Sequence, residues 1–401
     1  MEIQDNLHLT YCSNIHPGET WMEVFDTLKK NIPEIKKSIS PDKKFGIGLR
    51  LSAEAAEVLL SENHLKDFKR WLNENDCYVF TMNGFPYGNF HNTIVKDEVY
   101  KPDWTTDFRL QYTLDLINVL AELIPENSEG GISTSPLSYK PWIKDSKQLD
   151  FIINSSCFHL MKCVEELVTI HKTSGKIIHL DIEPEPNCLL ENANETVFFF
   201  TDFLLPYGVN YFNDKHGLTK EDAEKIILEH IRICYDVCHF AVEFQDPLNS
   251  LLRLTDAGIK IGKVQISSAL KVFTGENVDR KKILEHYSKF AESTYLHQTI
   301  AKDSEGKLHH YPDLPEALKN FENEKLREWR THYHVPVFMP TYNELQSTQD
   351  DILKVFGALK KNKFTNHLEV ETYTWEVLPQ EERLPMNDSI IRELNWVKNN
   401  L

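Results

Sequence analysis

The chain has 401 residues, 41% of them hydrophobic, with 44 Lys and Arg against 61 Asp and Glu for a formal net charge of −17. That composition excludes a disordered or membrane-embedded chain and allows a sizeable core, while the acidity disfavours sequence-independent contact with nucleic acid phosphates. Seven scattered cysteines (Cys12, Cys77, Cys157, Cys163, Cys188, Cys234, Cys238) suit a reducing cytosol better than a disulfide framework. The polar first residues and the lack of about 18 consecutive apolar positions predict no signal peptide and no membrane span, hence a cytoplasmic protein.

Short apolar runs alternate with helical periodicity along the chain, the pattern of βα units around a parallel sheet. Strands are predicted at residues 7–12, 45–51, 78–82, 131–135, 177–183, 231–236, 263–267 and 367–373. Eight such runs fit a closed (β/α)8 barrel spanning residues 1–401 as one domain.

Between them, Trp21, Val24, Phe25, Leu28 and Ile32 form one helical stripe, with Pro33 marking a bend or an end. Ser52 is a candidate N-cap for a helix carrying Val58, Leu59, Leu65, Phe68 and Leu72. Helices are also predicted at residues 107–124, 150–171, 349–360 and 388–398, and Thr219 with Asp222 resembles an acidic capping box ahead of the sixth strand. The segment at about residues 270–340 breaks the rhythm. It reads as an inserted β-hairpin, residues 295–301 and 308–311, then an extended run at 332–338. An insertion between strands seven and eight belongs on the catalytic face, as a lid or substrate wall.

Chemistry-bearing residues collect at predicted strand tips. In "IIHLDIEPEPNC" two prolines stop the ladder and leave Glu183 at the end of its strand, with Glu185 beyond; a surface loop with incidental acids is the plainer alternative. In "CYDVCHF" Asp236 ends an apolar strand and His239 follows three residues later, a carboxylate and an imidazole suited to Mn, Zn or Fe, or simply a histidine satisfied at a helix start. In "HLEVETYTW" period-two alternation turns Glu369 and Glu371 inward, where something cationic must meet them. Arg50 on the second strand is the purely structural candidate. His332 and His334 in "THYHVPVF" share a face if extended, and read equally as ligands from a loop or as rim residues. His297 in "YLHQT" is a weaker candidate. Asn14, His16, Arg50, Asn83 and His91 gather near the ends of early strands as orienting groups for hydroxyls.

The order and strand positions of "DIEP", "DVCH" and "EVET" resemble the metal ligands of the xylose-isomerase-like barrels, which include sugar isomerases, epimerases and apurinic-site endonucleases. More narrowly, "LTYCSNIHPGE", "NGFPYGNFH", "YLHQT", "HYHVPVF" and "HLEVETYTW" look like the EboE-type metabolite traffic proteins of bacterial Ebo operons. The resemblance implies a divalent ion (Mn, Zn, Co or Mg) on Glu183, Asp236, His239, His334 and Glu371, with Glu183 and Glu371 catalytic. His16, Arg50, Asn83, His91, Gln265, His297 and His332 would then meet a small hydroxylated or carbonyl substrate. It implies a metal-dependent isomerase or epimerase, or alternatively a non-catalytic carrier of a small metabolite, with other Ebo-type proteins as partners. Gln265 is a departure: the superfamily usually has a metal-binding histidine on the seventh strand, so either His334 or His332 replaces it or the site has lost tight metal binding.

Overall fold

The computed structural model describes the chain apart from residues 5, 89–95, 276–277, 293–294, 373 and 376–382. Eight strands run parallel: β1 (Leu7–Tyr11), β2 (Phe45–Arg50), β3 (Cys77–Asn83), β4 (Glu129–Thr134), β5 (Ile177–Ile182), β6 (Ile231–Asp236), β7 (Ile261–Ile266) and β8 (His367–Val370). Each of β2 to β8 pairs with its neighbour in sequence among these eight, and β8 pairs back onto β1. The ring closes between β1 and β2, where one parallel bridge joins Cys12 and Gly48. Side chains complete that seam. The Thr10 hydroxyl donates to the Gly46 carbonyl at 2.7 Å and accepts from Gly48 N–H, and the Ser13 hydroxyl accepts from Arg50 N–H. This is the (β/α)8 barrel expected from the alternation of runs, with every residue of β2, β6 and β7 buried, as a parallel sheet covered by helices requires.

Two local expectations are corrected and a third is met. Helix Trp21–Ile39 continues through Pro33 rather than ending there. Both Pro33 and Lys29, the residue whose carbonyl loses its i+4 partner, face solvent, so water satisfies that carbonyl and the penalty of an interior proline is softened. The stripe after Ser52 is split into two helices, Ala53–Leu59 and Glu62–Glu74; Ser52 caps the first through Ala55 N–H, and Val58 is exposed. Thr219 caps Lys220–His230 through Asp222 N–H.

The inserted segment is larger than a hairpin. Thr299–Asp303 and Leu308–Tyr311 pair as expected, but they belong to a six-stranded antiparallel sheet. Leu326–Thr331, Leu270–Phe273, Leu345–Ser347 and Thr341–Tyr342 follow in spatial order. Three of these four strands have only two to four residues, too few to carry a legible period-two signal. Residues 332–338, expected to be extended, form an irregular link after Leu326–Thr331.

At the N-terminal ends of the strands, burial lowers the pKa of two histidines. Burial brings His8, whose Nδ1 lies 2.6 Å from the Tyr78 hydroxyl, and His230, whose Nδ1–H donates to the Ile178 carbonyl at 2.7 Å, down to about 4. Between pH 6.5 and 4 the unfolded chain protonates these rings while the folded chain leaves them neutral. The unfolded state then binds more protons, so their contribution to stability is intact above pH 6.5 and lost as pH falls towards 4. Urea unfolding at pH 7, 6 and 5 should show stability falling through this window, and His230→Gln should flatten the fall. A fall of unchanged steepness in that variant would assign the acid sensitivity to other groups.

Candidate metal centre

The carboxyl ends of β5, β6 and β8 and the link after Leu326–Thr331 converge on one point, the catalytic face of this architecture. Asp236 ends β6 fully buried; its Oδ1 accepts from His239 N–H at 3.0 Å and from the Ser267 hydroxyl at 2.7 Å. That N-cap bond turns the short helix Val237–Val242 so that His239 faces back towards the barrel axis. Asp236 Oδ2 has no hydrogen-bond partner among the described residues, nor has Glu183 Oε2, one residue past β5. Glu371, just past β8, is held through Oε1 by the side-chain amides of Asn14 at 2.6 Å and Asn83 at 3.2 Å. Glu183, Asp236 and Glu371 each place a carboxylate oxygen within 4.8 Å of the others, all buried. Three carboxylates so close in a desolvated site repel one another. Burial and the facing Glu371 and Asp236 hold the Glu183 carboxyl well above its ordinary range.

The imidazoles lie above them. His239 Nδ1–H donates to the Pro184 carbonyl at 2.9 Å, and His334 Nδ1–H to the Glu371 carbonyl at 3.0 Å. His332 Nδ1 sits 2.8 Å from Gln298 Oε1. The Gln298 amide is oriented by its own Nε2, which donates to Glu185 Oε1 and to the Pro186 carbonyl, both at 3.2 Å; Oε1 therefore faces His332 as an acceptor, and Nδ1 carries the proton. With all three Nδ1 positions protonated, each Nε2 presents a lone pair. His332 Nε2 lies 3.1 Å from His239 Nε2 and 3.3 Å from His334 Nε2, and Asp236 Oδ2 is 3.8 Å from the Nε2 of both His239 and His334. Burial, then the neighbouring His239 and His334, takes His332 well below its usual range. Orphaned carboxylate oxygens and converging lone pairs fit a divalent cation, and imidazole Nδ1–H groups tied to carbonyls are the usual support for metal-binding histidines.

These groups open into a cavity of about 330 Å³ walled by Phe85, Pro86, Val99, Tyr100, Leu296 and Tyr333, with Asn14, Asn83, Glu183, Glu185, His239, His297, His332, His334 and Glu371 also lining it. Lys96 reaches the same wall, but its ammonium is engaged by Asp313 at 2.7 Å and by the Tyr295 carbonyl. Glu185 accepts from the Tyr100 hydroxyl at 2.6 Å, and burial raises its carboxyl.

The expected residues thus separate. Glu183, Asp236, His239, His334 and Glu371 come together, and His332, expected as a substrate contact, sits among the ligand-type atoms instead. Asn83 and His297 line the cavity; His297 stacks on Tyr333 with ring centroids 4.7 Å apart, and burial brings it down to about 4. Three others are absent from the lining. Arg50 is spent on Glu19 at 2.8 Å and on the Gly18 and Gly88 carbonyls, because the loop after β1 folds over it. His16 lies 2.8 Å from the Tyr11 hydroxyl. Gln265 is fully buried inside the barrel, paired in register with Asp236 and Glu369. His91 lies outside the described residues. The cation facing Glu369 is Lys263, not Arg50. Sequence reasoning missed Gln298, whose orienting role is invisible without the fold, and underweighted Glu185, which the second proline of "EPEP" was already signalling.

No family model matches the chain, and no curated protein matches it. Solved structures similar to it include a probable 3-DHS dehydratase, AsbF, of petrobactin synthesis in Bacillus anthracis, at 11% identity and TM-score 0.46, covering 98% of this chain and 99% of that one. The IolI protein with a bound zinc atom aligns at 14% identity and TM-score 0.46, covering 98% of each chain. A xylose isomerase-like TIM barrel protein from Mycobacterium smegmatis in complex with magnesium aligns at 9% identity and TM-score 0.49, covering 98% of this chain and 95% of that one. The barrel itself is established by this chain's own strand order. Among the described residues, no helix is long and apolar enough to cross a membrane.

Proposed function

We propose that the chain is a metal-dependent isomerase- or epimerase-like enzyme acting on a small hydroxylated or carbonyl metabolite. The observation that carries this reading is the buried group Glu183, Asp236 and Glu371 at the floor of a cavity large enough for a small molecule. A divalent ion held there by these three residues would polarise a carbonyl and hydroxyl pair and lower the acidity barrier at the adjoining carbon. Glu371, steadied by Asn14 and Asn83, stays in one orientation. Glu183, whose Oε2 is buried with no hydrogen-bond partner among the described residues, takes the proton and returns it. Asn83 and His297 orient hydroxyls from the wall. Because Lys96 is engaged by Asp313, the pocket suits an uncharged substrate better than a phosphorylated one.

The test is elemental analysis of the purified chain, followed by incubation with hydroxy-ketones and aldoses in deuterium oxide. Bound metal, melting stabilised by Mn, Co, Zn or Mg, and deuterium entering at a carbon beside a carbonyl only when metal is present are expected. Absence of bound metal together with no stabilisation by any of the four ions would end this reading.

Gln265, at the strand-seven position where the resembled superfamily places an imidazole, favours a second reading: a carrier that keeps the pocket without turnover, in line with the EboE-type resemblance and with partners among Ebo-type proteins. A metabolite that co-purifies and is returned unconverted would select it.

A further inference from the structure

The cavity has two unlike halves. Its floor is polar, built from groups at or just past the ends of β1, β3, β5 and β8: Asn14, Asn83, Glu183 and Glu371. Its wall is apolar and comes from chain beyond the strand tips: Phe85 and Pro86 after β3, then Val99 and Tyr100, and Leu296 from the inserted segment. This wall is not an outcrop of the barrel's core. Phe85, Val99, Tyr100 and Leu296 pack with Tyr139, Trp142 and Cys188 as a separate apolar cluster, and four of these seven residues line the cavity. The cluster is braced by its rings. Tyr100 lies flat on Tyr139, with centroids 4.9 Å apart and planes 10° from parallel, and Phe85 meets Tyr100 at 5.9 Å. The Tyr100 hydroxyl is already used, donating to Glu185 and accepting from the Gln298 amide at 2.8 Å, so this residue offers the cavity its ring. Charged groups beside the wall are engaged as well: Lys96 by Asp313, and Glu292 by the Tyr295 N–H at 2.9 Å.

We propose that the substrate is amphipathic: a hydroxy-ketone head on the carboxylate floor, carrying an aryl or branched hydrocarbon group that packs against Phe85, Val99, Tyr100 and Leu296. The head rests on the proposed function, whereas the wall is independent of it. A sugar hydroxylated on every side would turn hydroxyls towards these side chains, and each one buried there without a partner costs roughly 10-fold in affinity. A hydrocarbon group in the same place gains about fourfold for each methylene taken out of water. The wall therefore selects against a free sugar and for a head with a non-polar substituent. A cavity of about 330 Å³ is at the small end for such ligands, which limits the substituent to about one ring. Leu296 belongs to the inserted segment, so that segment shapes the choice of substituent while the strand tips hold the head.

The experiment is calorimetric titration of the full chain, with Mn2+ and without added metal, using three ketols that share one head: hydroxyacetone, erythrulose and 2-hydroxyacetophenone. The phenyl ketol is expected to bind about 10-fold or more tighter than hydroxyacetone, and erythrulose no tighter than hydroxyacetone. Phe85→Ser and Leu296→Ser should each shrink the phenyl preference to within about threefold and leave Mn2+ affinity at its native value. Circular dichroism checks the fold, and Leu296, only half-buried, supplies the variant that keeps the test valid if Phe85→Ser unfolds. Erythrulose binding as tightly as the phenyl ketol, or no binding of the phenyl ketol, would overturn the apolar wall and leave the metal-dependent reading standing. A native chain that takes up none of Mn, Co, Zn or Mg would instead end the proposed function, and a phenyl preference surviving in that chain would keep the wall as part of a carrier's site.

Discussion

Lys263→Met should destabilise the barrel by about 3–5 kcal/mol, the cost of stripping one partner from a buried ion pair. Lys263 on β7 and Glu369 on β8 are both fully buried, with Nζ 2.6 Å from Oε2 and the Ser133 hydroxyl 3.2 Å from the same ammonium. Opposing charges and burial act in different directions on Lys263, and the attraction of Glu369 wins: its pKa is raised despite desolvation. The carboxylate is packed as tightly as it is paired. A Cβ on Gly48 would come within 1.9 Å of Glu369 Oε1 and 2.6 Å of the Tyr11 carbonyl oxygen, so glycine is the residue that fits beside the carboxylate. With Lys263 gone, the carboxylate must either stay charged in a dry barrel or take up a proton, and both cost stability. Urea unfolding at pH 7 measures the loss, and Lys263→Met combined with Glu369→Leu should recover most of it, since a buried pair replaced as a pair is often neutral. A single variant within about 1 kcal/mol of the native chain, a size typical of exposed pairs, would show that water reaches the pair.

Asp236→Asn is the most damaging single change expected for ion binding, because Asp236 is the one residue common to the carboxylate and imidazole groups. The substitution keeps Oδ1, which accepts from His239 N–H and the Ser267 hydroxyl, so the helix cap and the fold should survive. It converts Oδ2 into an amide nitrogen. That NH2 would sit where Oδ2 now lies, 3.8 Å from two imidazole Nε2 atoms, and would donate to the lone pairs that otherwise demand a cation. Loss of a charged ligand and competition for the remaining ones should together lower affinity by upwards of about 100-fold, the upper end of what losing a supporting partner costs. Calorimetric titration with Zn2+ gives the number. An affinity within a factor of about three of the native chain would place the ion away from Asp236.

What could be read from sequence follows from how local each signal is. The barrel was legible because eight buried strands each announce themselves within four to seven residues. Glu183, Asp236 and Glu371 were legible because each lies at or just past the end of such a run. His332 and His334 could be paired by spacing, but their role depended on which groups meet their Nδ1 atoms. One of those groups is Gln298, on another part of the inserted segment, and another is the backbone of Glu371. Lys263 escaped notice for a different reason. A lysine flanked by Gly262 and Val264 reads as a strand's solvent-facing position, and only closure of the ring turns it inward to Glu369. Arg50 was assigned to the substrate on the strength of its strand position, whereas its occupation by Glu19 and two carbonyls is a property of loops whose course no periodicity reports.

The hydrogen bond from Asn14 to Glu371 spans 357 positions of the chain, and β8 joins β1 over a similar distance. Contacts of such long range form late, because the entropy of closing the loop between them is spent before any pairing rewards it. During synthesis the edge of β1 that pairs with β8 therefore waits until β8 has emerged. Asp236 and His239 are made well before Glu371, so a nascent chain holds a partial set of ligands long before it has a closed pocket. The group of Glu183, Asp236 and Glu371 is thus brought together only after β8 has been made, so its closeness reports that β8 has docked onto β1.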